Sequence, residues 1–249
     1  MEEAEMVFPI AASSKPATKG FTAWSFSRYN AYVKCPLAAK LSNIDKIPQP
    51  PSTAMDRGSM IHGLAAGYIS GELPQMPESL LLFKDLFIDL RARYNDDEVI
   101  AEDSWAFRKD WSVTTFDDWD NCWCRIKVDA VRLIEGSLDV LDWKTGKYAP
   151  QYNVADYELQ IELYSLGALL MFGGKIPDIR VAPRLIYLDH GIVHPEKAQI
   201  YTMKDLPRLK TAWEKRTTPM LVDRTFAPNP GQQCTWCAYS KTKSGHCVY

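Results

Sequence analysis

With 249 residues, 46% of them hydrophobic and 24% charged, the chain has the make-up of a globular protein long enough to bury one sizeable core. A formal net charge of -2 excludes a global basic field, so any nucleic-acid partner must be met by a local patch. No run approaches the roughly 18 apolar residues of a membrane helix, and the acidic start MEEAE argues against a secretory signal, so a cytoplasmic protein without membrane contact is expected.

Residues 1–20 carry Pro, Ala, Ser and Lys without sustained periodicity and read as a loosely packed arm. Helices follow. In AMDRGSMIHGLAAGYI the apolar Ile61, Leu64, Ala65 and Tyr68 fall at helical spacing, which leaves His62 on a flank beside the small Gly58 and Ala66, able to approach another segment closely. EVIAEDSWAF reads as a strand, and its Glu102 is either a carboxylate near the site or a solvated strand residue. Cys122 and Cys124 flank Trp123 on one strand face and are read as small hydrophobes.

Residues 126–134 and 138–144, rich in Val, Ile and Leu and split by Glu135 and Gly136, read as a β-hairpin. A two-residue loop sets Leu133 opposite Leu138, Val131 opposite Val140 and Arg132 opposite Asp139. The same register places Asp129 opposite Asp142, with Lys144 on their face. Two facing carboxylates, with Cβ atoms about 4.5–5.5 Å apart, repel unless a positive charge lies between them, and a divalent metal is the natural candidate. Such an ion beside a lysine suits phosphodiester cleavage. A helix near 155–172 follows and puts Gln160 and Tyr164 on one face. Then come a hairpin around Asp189, His190 and Gly191, with His190 and His194 read as turn residues, and a helix near 203–217. GGKI at 173–176 lacks the spacing and the hydroxyl of a phosphate-binding loop, so no motor is expected.

Asp129, twelve residues, then Asp142-Trp143-Lys144 resembles the signature of the PD-(D/E)XK nuclease superfamily. WSFSRYNAYVKCP, DRGSMIH and LQIELY resemble three further motifs of its RecB-like branch, which includes nucleases of phage recombination, CRISPR adaptation and mitochondrial genome maintenance. The resemblance implies an α/β, restriction-endonuclease-like core with a central mixed sheet flanked by helices. It also implies that His62, Asp129 and Asp142 hold Mg2+ or Mn2+, that Lys144 assists the attacking water, and that Gln160 and Tyr164 line the cleft. Arg57, Lys144 and Lys147 would supply the local basic patch. The expected activity is that of a DNA exonuclease of recombination or repair acting on DNA with a free end, with an annealing or recombination protein as a possible partner. The rivals are a CRISPR-adaptation nuclease and a catalytically silent DNA-binding subunit, although the latter would have lost an Asp or Lys of the motif.

The remaining cysteines divide by position. Cys234, Cys237 and Cys247 sit in a polar tail, and Cys35 lies far upstream beside Pro36, a pattern that suggests metal binding more than disulfides. The RecB-like resemblance implies a [4Fe-4S] cluster on these four thiols. Nine residues separate Cys237 from Cys247, longer than the family's usual gap, and His246 precedes the last cysteine, so a Cys3His zinc site stays open. The expected organisation is an arm over 1–20, a nuclease domain over 21–230 and a cysteine clasp over 231–249 completed by Cys35.

Overall fold

The computed structural model of the chain describes residues 19–134, 136–148 and 150–249, with the side chains of 150–154 undescribed. Nearly all of the expected arm, and Glu135 of the expected turn, lie outside them. A seven-stranded mixed sheet runs through the middle. Its strands are β1 (Trp24–Ser25), β2 (Val99–Phe107), β3 (Val113–Thr114), β4 (Cys124–Ile134), β5 (Ser137–Lys144), β6 (Arg180–Tyr187) and β7 (Ile192–His194), ordered β3-β2-β4-β5-β6-β7 with β1 on β4. The helices are α1 (Phe26–Lys34), α2 (Pro36–Asn43), α3 (Thr53–Ile69), α4 (Lys84–Asn95), α5 (Pro150–Phe172) and α6 (Leu206–Val222).

The parallel pair β5 and β6 needs a crossover, which α5 supplies. This helix begins five residues before the expected start at 155, and α6 runs five past 217. The second hairpin is present, with His190 in its turn; His194 is instead the last residue of β7, its ring against Tyr157. Cys122 and Cys124 are buried as expected, but only Cys124 lies in a strand.

Two buried clusters flank the sheet. Leu141 and Trp143 of β5 join Ile61 and Tyr68 of α3 and Phe87 of α4. Leu138 and Val140 point the other way, into a cluster with Ile161 of α5, Trp213 of α6 and Trp24 of β1. The α5 side is drawn tight at Gly167, where an added Cβ would lie 2.7 Å from the Trp105 ring and from Ile126.

The hairpin register is the expected one: Leu133 faces Leu138, Arg132 faces Asp139 and Val131 faces Val140. Arg132 is gripped by Asp139 at 2.6 Å and by Asp89 of α4 at 2.7 Å. The ladder stops, however, at Ala130 and Leu141, one pair short of the carboxylates. On its other side β4 also skips a pair with β2 at Asp129 and Glu102, where Glu102 takes φ 53°. The faces exchange there. Val99, Ala101 and Ala130 pack toward α3 and α4, whereas Trp105, Phe107, Ile126 and Val128, of the same parity in their strands, pack toward α5 and α6. A strict period of two cannot do this, so the expectation that Asp129 and Asp142 form a facing pair is corrected.

The edge of β4 opposite β2 is shared. β5 covers residues 130–134, β1 covers 124–125, and the stretch between them has no strand partner. The gap is where the site forms. A side-chain tie holds α1 to the segment after α6: the Asp223 carboxylate, just past α6, accepts the Tyr32 hydroxyl at 2.9 Å and the N–H groups of Thr225 and Phe226. Burial alone would raise the Asp223 carboxyl, but these backbone and hydroxyl donors overcome it and pull it down to about 2.

Because that folded value lies below the ordinary 3.8, the stabilisation from Asp223 is full above about pH 4 and is lost as pH falls toward 2. Asp223→Asn should therefore lose less stability than the wild type on going from pH 5 to pH 2, as read from urea unfolding midpoints.

Candidate active site

Asp129 lies in the fork where β4 and β5 part. Its Oδ2 accepts the backbone N–H of Trp143 at 2.7 Å, in place of the next ladder bond, and its Oδ1 lies 2.7 Å from Nδ1 of His62 on α3. Trp143 is anchored by its buried ring against Phe87, centroids 5.0 Å apart. The helix can come this close because position 58 is glycine: an added Cβ there would lie 3.1 Å from Oγ1 of Thr145.

Asp142 is only 7% exposed. Its Oδ1 accepts the Tyr164 hydroxyl at 2.5 Å, and Nε2 of Gln160 donates to that hydroxyl oxygen at 2.7 Å. Its buried Oδ2 has no hydrogen-bond partner and is matched by the Lys144 ammonium at 2.5 Å. A contact this close that makes no hydrogen bond is an ion pair whose N–H groups point elsewhere. Gln160 and Tyr164, four residues apart on α5, thus meet the hairpin carboxylate as their shared face predicted.

The electrostatics follow from burial. Desolvation pushes the Asp129 carboxyl up from its ordinary value, the His62 hydrogen bond pulls against that, and the neighbouring Asp142 charge adds to the rise. The hydrogen bond to Asp129 raises the His62 imidazole despite its own burial. Burial and the Asp142 charge push the Tyr164 phenol far up, so it stays a donor at any working pH. Half-buried Asp129 and buried Asp142 stand beside one ammonium and one imidazole, and the donor set of two carboxylates and an imidazole fits a divalent ion such as Mg2+ or Mn2+. Among the described residues, no three His, Cys, Asp or Glu side chains are drawn together as a ready cage.

Three adjoining hollows surround these groups. One holds His62, Asp129 and Glu102, the next Gln160, Tyr164 and Arg28, and the third Lys144 and Lys147. Lys127 borders the first two, and Phe26, Ser27 and Gln160 border the last two, so they form one cleft. Exposed Lys147 sits in the loop after β5, which His190 braces through the Gly146 carbonyl at 2.7 Å. Arg57 departs from the expected basic patch: Asp189 grips it with two bonds of 2.7 and 2.8 Å, so its charge is already matched. Glu102 is exposed and lines the first hollow.

A model of the PD-(D/E)XK nuclease superfamily matches residues 23–242. The chain belongs to that superfamily. The Gene 69 protein of Mycobacterium phage D29 is 26% identical over 200 residues, covering 61% of this chain and 71% of its own. Among solved structures, a candidate exonuclease from Eubacterium rectale aligns at 16% identity and a TM-score of 0.44, covering 88% of each chain. A protein called SSO0001 aligns at 13% identity and a TM-score of 0.40, covering 94% of this chain and 91% of its own. Membership rests on the family match. No helix among the described residues is long and apolar enough to cross a membrane.

Cys35, Cys234, Cys237 and Cys247 all line a separate cavity of about 330 Å³ between α1, α2 and the C-terminal segment. All four are free thiols. His246 is exposed and its Nδ1 lies 2.8 Å from Ser244 Oγ, so Cys247 rather than His246 borders the cavity.

Sequence reasoning missed Arg28, Arg125 and Lys127. The alternation in CRIKV reads Arg125 as solvent-facing, yet it is only 9% exposed. Tyr164→Phe should leave Asp142 Oδ1 without its donor, and urea unfolding should show a loss of about 1–3 kcal/mol, the cost of stranding a buried acceptor.

Proposed function

We propose that the chain is a metal-dependent deoxyribonuclease that shortens DNA from a free end, in recombination or repair. The observation that supports this reading is the convergence of Asp129, Asp142, Lys144, Gln160 and Tyr164 at one break in a sheet, with His62 reaching Asp129 from the opposite layer. A merely structural hairpin would continue its ladder through these positions.

His62, Asp129 and Asp142 would hold Mg2+ or Mn2+, whose contribution is to offset charge on the phosphoryl oxygens and make a nearby water acidic enough to attack. Tyr164 and Gln160 fix the Asp142 carboxylate so that it does not turn away. The Lys144 ammonium, held at Asp142, supplies a fixed positive charge where negative charge develops on the phosphate, with little reorganisation at the moment of reaction. Lys144 and Lys147 border one stretch of the cleft and would attract the backbone locally, consistent with a chain of net negative charge.

The test is digestion of end-labelled single- and double-stranded DNA with Mg2+, Mn2+ or chelator. Asp142→Asn and Lys144→Ala should each lower cleavage by about 10²–10³-fold or more while retaining the circular dichroism of the wild type. Near wild-type rates in either variant would remove the hairpin from the chemistry.

For the cysteine cavity the same reading assigns a [4Fe-4S] cluster on Cys35, Cys234, Cys237 and Cys247, joining segments about two hundred residues apart. Anaerobically purified protein should be brown, with about four irons per chain, and Cys35→Ser should lose the colour and unfold at lower urea because the link between the two segments is gone. One tightly bound zinc in colourless protein would replace the cluster by a zinc site.

A further inference from the structure

The middle hollow of the cleft, about 460 Å³, holds a cationic group that the hydrolytic chemistry does not use. Arg125, on β4 beside the uncovered stretch of its edge, is nine-tenths buried, and neither its Nε nor its Nη2 has a hydrogen-bond partner. No ion pair is formed by it among the described residues. What faces its guanidinium is the ring of Trp119 at 3.8 Å and that of Phe116 at 5.1 Å. A cation–π contact offsets part of the desolvation of a buried guanidinium but satisfies none of its N–H donors. Such an unpaired charge is costly, and an anion is what would relieve it.

The rest of the lining has the same sign. Arg28 of α1 borders the hollow with a single side-chain bond to the Ala23 carbonyl, and Lys127 borders it too; among the described residues no Asp or Glu lines the space. Burial first and the Arg125 charge second depress the Arg28 guanidinium, against an opposing pull from Cys122. The hollow also receives the start of α1. Ser25 caps this helix by accepting the Arg28 N–H, which leaves the N–H groups of Phe26 and Ser27 without an intrahelical partner. Helix starts of this kind favour negative charge. Gln160 and Tyr164 line the hollow too, and through them it adjoins Asp142.

We propose that this hollow is a phosphate subsite, in which the guanidiniums of Arg28 and Arg125 and the first N–H groups of α1 bind a phosphoryl group of the nucleic-acid strand being cleaved. The inference rests on the nuclease reading for its ligand. A phosphate here sets which phosphodiester of the strand reaches Asp129 and Asp142. The phosphoryl group comes either from a 5′-terminal monoester or from an internal diester, and the two are separable by experiment.

Binding of short labelled oligonucleotides with a 5′-phosphate or a 5′-hydroxyl is measured by fluorescence anisotropy in chelator over a range of salt, for the wild type, Arg125→Gln and Arg28→Gln. For a terminal phosphate, the wild type prefers the phosphorylated end by about ten-fold or more, the strength of a charge-assisted contact, and both variants lose the preference. For an internal phosphate, the ends bind alike, both variants weaken both ligands, and the salt slope falls by about one. Wild-type affinity and salt slope in folded Arg28→Gln and Arg125→Gln would overturn the subsite; if Arg125→Gln fails to fold, the partly exposed Arg28→Gln decides alone. End-labelled digestion on the same wild-type preparation keeps the two readings apart: a chain that binds by these criteria yet cuts no DNA loses the nuclease reading and keeps the subsite, and one that cuts DNA with both variants binding normally does the reverse.

Discussion

The site depends on one hydrogen bond made by the wrong partner. Where the β4–β5 ladder would place its next backbone pair, the Trp143 N–H is taken by the Asp129 side chain at 2.7 Å. This keeps the donor satisfied while letting the strands part, which a buried backbone group would otherwise resist. With Asp129 in the fork, Asp142 faces α5 and His62 reaches in from α3, so helices on opposite faces of the sheet meet at one carboxylate pair. The buried ring of Trp143 against Phe87 holds the donor in place, and Gly58 lets α3 draw near.

The break has a second consequence. At Glu102 and Asp129 two neighbouring strands exchange faces together without a change in register, because both lose the same pair. The sheet can therefore bury one end of β2 and β4 against α3 and α4 and the other end against α5 and α6. The seam between the two clusters leaves the edge of β4 uncovered over a few residues. Charge collects along that seam: carboxylates and an imidazole on one side, Arg28, Arg125 and Lys127 on the other. A chain with net charge -2 thereby presents a strongly structured local field without a basic surface overall.

The cysteine cavity sits apart from this cleft but shares α1 with it. The helix begins beside Arg28 and the cationic hollow and ends at Lys34, next to Cys35. Asp223 fastens its last turn through Tyr32. With its last turn tied to the segment after α6, the same helix carries Arg28 near its start. The far cavity and the cleft therefore share one helix.

The sequence by itself determined the mixed α/β class, the hairpin with its Leu, Val and Arg–Asp register, and the residues that gather in the fork. Those follow from local rules: strand alternation, a two-residue turn and four-residue spacing on α5. The grouping of Cys35 with the three tail cysteines was also legible, and the four border one cavity. Only the tertiary structure decided that Asp129 bonds to a backbone N–H rather than facing Asp142, that Asp189 claims Arg57, and that Arg125 is buried beneath Trp119. Each of these depends on a contact between segments far apart in the chain, and alternation along one strand carries no information about what will cover it. The exchange of faces at Glu102 and Asp129 was invisible for the same reason, because a pattern with a period of two assumes the regular strand that two packed layers here interrupt.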